Sequence, residues 1–261
     1  MSELLCRLRC RERRGSKPRC HLLTHGADSE VAARLTGIIA PWGEVMPDRV
    51  WRPRGFECLG EAKLAETPGF LSAAHRKQVK CWWLKVPRGA NTPNWDIAST
   101  CKIQGRDGLV LVEAKAHWKE LSCLGKPKPK TPNGRENHER IGAAIQEANA
   151  ALNGVLTGWG LSRDSHYQLS NRFAWAWKLA SLGVPVILVY LGFLNADDMG
   201  GRSRPFHTAD DWEEAVRAHS AGVVPERVWA DGPLDIGGTP LKALIRSVQT
   251  DLPTQGSSGG M

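Results

Sequence analysis

The sequence predicts an α/β domain, and three observations carry that expectation. Between residues 94 and 115, two β-prone runs flank Gln104-Gly105-Arg106-Asp107-Gly108, a cluster of turn formers, and read as a β-hairpin. Apolar residues then recur at helical spacing over 136–152, on Ile141, Ala144, Ile145, Ala148 and Leu152, and a second helical segment covers 167–182. The run at 184–191 follows at once, too short to span a membrane and too rich in β-branched residues for a comfortable helix, so it reads as a buried strand.

Taken in chain order, the elements differ in how firmly they read. Arg7, Arg9, Arg11, Arg13, Arg14, Lys17 and Arg19 crowd the first twenty residues, and 1–28 are expected to be a basic, disordered tail. Residues 29–248 are expected to form a single domain, with a helix over 30–39 as an N-terminal addition and 249–261 as a flexible C-terminal tail. If 56–65 are helical, Glu57 and Glu61 share a face, with Glu66 close by. The segment 70–84 reads as the first core helix, yet only 87–93 separate it from Asp96, too little to hold a strand between them.

The hairpin concentrates the charged residues. Side chains alternate along a strand, so Glu113 and Lys115 share a face, and an antiparallel partner brings Asp96 back beside them. A solvated strand end with a surface ion pair is the plain explanation of Glu-x-Lys. Against it stands the run Leu109-Val110-Leu111-Val112, apolar on both faces, which makes charges just beyond it costly unless they open into a cleft.

An aspartate followed by Glu-x-Lys resembles the PD-(D/E)xK nuclease superfamily, the restriction endonuclease-like fold, among them bacterial members without an assigned role. Glu113-Ala114-Lys115 matches one half in full, whereas Pro93 lies three residues before Asp96 rather than adjacent to it. The resemblance spans about 70–193. It implies an αβββαβ core with a mixed central sheet flanked by helices. It also implies Mg²⁺ or Mn²⁺ held by Asp96 and Glu113, Lys115 as the catalytic lysine, and hydrolysis of phosphodiester bonds, with DNA favoured as substrate. The wider pattern adds an acid and polar residues near the site, for which Glu61, Gln168 and Asn171 are the accessory candidates. Arg172, in the same polar helix start, is a candidate for nucleic-acid binding, although ordinary capping by Ser170 or Asn171 explains that composition equally well.

Composition bounds the alternatives. A net charge of +8 and a pI near 9.3 favour a polyanionic partner. Lys126, Lys128 and Lys130 sit in the Pro- and Gly-rich stretch 125–134, an extended loop suited to gripping phosphates without reading bases. No run approaches a membrane span and the first residues are too charged for a signal peptide, so a soluble, cytoplasmic protein is expected. Seven scattered cysteines suggest reduced thiols. Zinc on Cys6, Cys10, Cys20, His21 and His25 is the weaker reading, because Cys-x₃-Cys is not the spacing of common zinc modules. The eleven tryptophans read chiefly as core, with a stacking platform for bases as the rival use. The competing functional class is a catalytically idle nucleic-acid-binding or scaffold protein that keeps the nuclease fold.

Overall fold

The computed structural model describes residues 3–88, 90–199 and 204–253. Two helices open the chain, α1 (Glu3–Cys6) and α2 (Ser16–Leu23), followed by α3 (Asp28–Ile39), whose Val31, Leu35, Ile38 and Ile39 step along one buried face. A two-residue strand, β1 (Trp51–Arg52), precedes a long connection that contains α4 (Ala73–Trp83), capped by the Ser72 hydroxyl, which accepts from the His75 N–H. The hairpin of β2 (Ile97–Ile103) and β3 (Arg106–Lys115) turns on Gln104 and Gly105, both at positive φ (49° and 75°), the condition for a two-residue turn that matches strand twist. Next comes α5 (Pro132–Val155), with Pro132 in its first turn and Thr131 capping it, and then α6 (Tyr167–Ser181). The chain ends in β4 (Val186–Leu194), α7 (Ala209–Ser220) with a Thr208/Asp211 capping box, α8 (Arg227–Ala230), β5 (Leu234–Asp235) and β6 (Pro240–Gln249).

The strands form one mixed sheet in the order β1-β2-β3-β4-β6-β5. β1, β2 and β3 pair antiparallel, β3, β4 and β6 run parallel, and β5 returns antiparallel on the far edge. Alternation sorts the side chains: Leu109, Leu111, Val186, Leu188 and Tyr190 join the core beneath α4, α5, α6 and α7, while Val110, Val112, Ile187, Val189 and Leu191 pack with α2 and α3 on the opposite face. β4 is apolar on both faces because both faces are covered. No helix among the described residues is long and apolar enough to cross a membrane.

Three expectations change. No strand lies between 70–84 and Asp96 among the described residues: the strand that pairs with the outer side of β2 is β1, which lies before α4, so α3 is the helix that precedes it and α4 sits inside the connection from β1 to β2. Residues 56–65 are not helical. Gly55 turns at φ +52° against His25, and Ala62 bridges to Trp95, so that segment follows the sheet edge instead. The disordered tail expected over 1–28 is folded from Glu3. Its many arginines masked the apolar residues between them: Leu5 and Leu8 pack on Phe56, and Cys20 and Leu23 enter the core under α3. Arg19 is buried, donating to the Gly15 carbonyl at 2.9 Å and pairing with Asp198 at 2.6 Å. Of the flexible C-terminal tail expected over 249–261, Gln249 ends β6 and 254–261 lie outside the described residues.

The tryptophans are largely core, with Trp83 against Trp175 at 5.7 Å joining α4 to α6. Leu23→Ala is expected to cost about 2–5 kcal/mol in denaturant unfolding, as for other buried leucines. A disordered leader would leave the midpoint unchanged.

Candidate active site

β2 and β3 pair with Ile97 opposite Val112, and one further step in that register sets Asp96 opposite Glu113 at the carboxyl end of β3. Asp96, Glu113 and Lys115 thus share the face of the sheet that α5 and α6 cover, and the three residues that the hairpin pattern singles out come together. One oxygen of Asp96, Oδ2, accepts the Ala114 N–H at 2.8 Å, the one hydrogen bond to this carboxylate among the described residues. Glu113 is almost fully buried, and each of its oxygens meets a cation, Oε1 the Lys115 ammonium and Oε2 the Arg172 guanidinium. Arg172 reaches in from the second turn of α6, stacks over the Trp95 ring at 4.5 Å and donates to Asn171 Oδ1 at 3.1 Å.

The two carboxylates are treated differently by this arrangement. Burial works to raise the pKa of Glu113, but Arg172 and Lys115 outweigh it and hold the group below its ordinary value. Asp96 lacks such direct partners. Burial, and then the charge of Glu113, push it up to about 7, against the weaker pull of Lys115, the Ala114 N–H and Arg172. Burial also works to lower the pKa of Lys115, yet Glu113 and Asp96 keep it above normal, so it is an ammonium at neutral pH.

A second ring of charge surrounds these groups. Glu61 arrives from the connection between β1 and β2, where it accepts from Asn94 Nδ2 at 3.0 Å and pairs with Lys17 at 2.9 Å; Lys17 also reaches Glu12 at 3.3 Å. Glu120 accepts the Ala116 N–H at 2.6 Å and lies 3.5 Å from His117 Nε2. Glu57 is exposed away from this ring, and Glu66 is engaged by Lys63 at 3.7 Å. Lys17 and Glu120 escaped the sequence reading. Lys17 lay in the supposed tail, whereas Glu120 was visible as the next acid after Glu113, five residues beyond Lys115.

A cleft of about 490 Å³ opens over Arg172, lined by Thr92, Asn94, Gly125, Gln168 and Asn171 as well. The accessory candidates Gln168 and Asn171 therefore face the cleft with Arg172, and the basic loop contributes Gly125 and Pro127 to its lining but none of its lysines. Lys126 packs over the Tyr167 ring at 4.7 Å, while Lys128 and Lys130 are exposed. Cys6, Cys10, Cys20, His21 and His25 do not gather: His21 Nδ1 is 2.9 Å from the Gly55 carbonyl, and His25 packs edge-on against Phe56. The oxygen donors at this strand end are Asp96, half-buried with one carboxylate oxygen unclaimed by Ala114, and Glu113, buried with both oxygens engaged by Lys115 and Arg172 but with further lone pairs on each.

The chain matches no protein-family model, no curated protein and no solved structure. Its chemistry is read from the site alone.

The raised Asp96 carboxyl has a direct consequence for stability. Its folded pKa of about 7 exceeds that of an unfolded aspartate, near 3.9, so its contribution to stability is greatest below about pH 4 and is lost as pH rises through 7. In chelator, the melting temperature of the native protein is expected to fall between pH 5 and 8 relative to Asp96→Asn. Parallel pH profiles for the two proteins would contradict the assignment.

Proposed function

We propose that this chain is a metal-dependent nuclease of the restriction endonuclease-like kind, hydrolysing phosphodiester bonds in DNA with Mg²⁺ or Mn²⁺. The observation that carries the reading is the register that sets Asp96 opposite Glu113-x-Lys115, with Glu113 paired to Arg172, which lines a cleft together with Gly125 and Pro127 of the basic loop. The element order is compatible with it: α3, three antiparallel strands, α5 and α6, and a fourth strand parallel to the third follow the order that the resemblance implies, except that α4 is inserted between the first two strands. In sheets with parallel strands, ligands commonly bind beyond the carboxyl ends, where this cluster lies.

The donor set fits a hard dication. Asp96 is a carboxylate whose ionisation is suppressed by burial and by a neighbouring negative charge, so it gains most from a cation, and Glu113 shares its strand end. When bound, the metal supplies Lewis-acid stabilisation and an acidified water. Lys115, held protonated, serves as a donor to a phosphate oxygen as negative charge develops there, and it orients the water through the same ammonium. Asn171 and Arg172 on the cleft wall position the phosphate, and Glu113 keeps the Arg172 guanidinium in place. Lys128 and Lys130 follow the sugar-phosphate backbone beyond the cleft.

One observation favours the second reading, a nucleic-acid-binding or scaffold protein without catalysis. Both oxygens of Glu113 already meet cations of the chain itself, an arrangement that is electrically satisfied without metal. Cleavage decides between the two. Plasmid or single-stranded DNA is expected to be cut with Mg²⁺ or Mn²⁺ and not in EDTA, and Asp96→Ala and Lys115→Ala each to lower the rate at least about 100-fold. DNA binding with no cleavage under any metal would favour the scaffold, and cleavage retained by both variants would assign the activity elsewhere.

The loop makes a separate prediction. Replacing Lys126, Lys128 and Lys130 by alanine is expected to weaken DNA binding alike for every sequence. It should also flatten the slope of log affinity against log salt by about 2, because Lys128 and Lys130 are the exposed members and each phosphate contact contributes roughly 0.9 on duplex DNA. An unchanged slope would assign the loop to solvation.

A further inference from the structure

A second set of potential ligands lies at the rim of the same cleft. Cys123 sits in the loop after β3, His166 at the N-cap of α6, and His219 in the last turn of α7. One ligand atom from each lies within 4.8 Å of the other two, and among the described residues no other three Cys, His, Asp or Glu side chains gather so closely. Cys123 Sγ is 3.7 Å from His219 Nδ1, and the two imidazole rings are 5.1 Å apart.

Local backbone fixes two of the three. The His166 N–H donates to the Cys123 carbonyl at 3.0 Å and the Tyr167 N–H to the Leu124 carbonyl at 3.1 Å, so the loop and the start of α6 are laced together next to the side chains. His166 itself stands at φ +44°, a left-handed conformation unusual for a residue other than glycine, asparagine or aspartate. Held there, it turns its ring toward His219 rather than along the helix.

From this geometry we propose that Cys123, His166 and His219 form a zinc site. One thiolate and two imidazoles are a borderline-soft donor set that suits Zn²⁺, in contrast to the hard carboxylate oxygens of Asp96 and Glu113. Tetrahedral zinc spaces such donors about 3.6 Å apart for sulfur and nitrogen and about 3.3 Å apart for two nitrogens. The contact between Cys123 and His219 is already at that spacing, and the other two spacings, each within 4.8 Å, close with small rotations of the side chains. Three protein ligands leave a fourth position for water.

Such a site has a structural consequence for the cleft. Leu124 and Gly125 line it directly after Cys123, and Tyr167 and Gln168 line it directly after His166. Zinc therefore pins the base of the lysine-bearing loop to α6 and α7, and sets the width of the opening independently of any metal at Asp96. The inference holds whether or not the protein cleaves DNA.

Co²⁺ provides the test, because a cobalt-bound thiolate gives a charge-transfer band and tetrahedral coordination gives intense visible absorption. The full-length, reduced, metal-free protein is expected to bind one equivalent of Co²⁺ with both signatures, and Zn²⁺ to displace it. Cys123→Ser should abolish the charge-transfer band, and His219→Ala and His166→Asn should each weaken binding at least about 10-fold. Asp96→Asn should leave the spectrum unchanged. The serine replaces an exposed side chain, and asparagine tolerates the left-handed backbone at 166, so both variants keep the fold. The proposal is overturned by absence of stoichiometric binding, by a charge-transfer band that survives in Cys123→Ser and so places the thiolate on another cysteine, or by equal loss of signal in Asp96→Asn.

Discussion

A carboxylate buried at the carboxyl end of an inner strand, β3, is the constraint around which the rest of this molecule is arranged. Glu113 is almost wholly withdrawn from water, and an ionised carboxylate is tolerated there only with charge and hydrogen bonds brought to it. Lys115 supplies one partner from the same strand, two residues on. Arg172 supplies the other from across the layer, which obliges α6 to lie over β3 with its first turns at the strand's carboxyl end. Trp95 backs the guanidinium and Asn171 accepts from it, so the arginine is fixed on three sides. Removing either cation leaves the buried Glu113 carboxylate with one oxygen unpaired, which is costly.

That network leaves Asp96 out of balance. It lies opposite Glu113, receives one backbone N–H, and feels the second carboxylate more strongly than either cation. A protein that needed only a stable sheet end would place a neutral residue here. The unrelieved aspartate and the outer pair of Glu61 with Lys17 are the features on which the proposed cation site rests. The outer ring also ties the folded amino terminus to the site. Ser16 Oγ lies 3.4 Å from Glu120, and Arg19 anchors α2 to Asp198 beyond β4.

Legibility in the sequence followed the physics of each element. The hairpin was plain because alternation and a glycine turn act locally, and its register brought Asp96 to Glu113 without help from the rest of the chain. α5, α6 and β4 were readable within a few residues, since each buries a long apolar face. β1 was hidden because two residues, Trp51 and Arg52, carry no periodicity, and its position is fixed only by pairing with β2. The amino terminus was misread because clustered arginines signal a solvated tail on composition alone, and only tertiary contacts show that Arg19 is buried and Leu23 is core. Glu61 reached the site by a route other than the helix that its spacing suggested. Cys123, His166 and His219 had no motif to betray them, being far apart in the chain and joined only by the fold.

The central claim is that Asp96 and Glu113 hold a hard dication, and calorimetric titration with Mn²⁺ tests it most directly. The account predicts one Mn²⁺ bound in the protein whose soft-metal site has been filled with Zn²⁺. Affinity should rise with pH up to about 7 and level off beyond it as Asp96 gives up its proton, and Asp96→Asn should abolish this binding. Mn²⁺ binding that is absent at every pH, or that persists unchanged in Asp96→Asn, would contradict it.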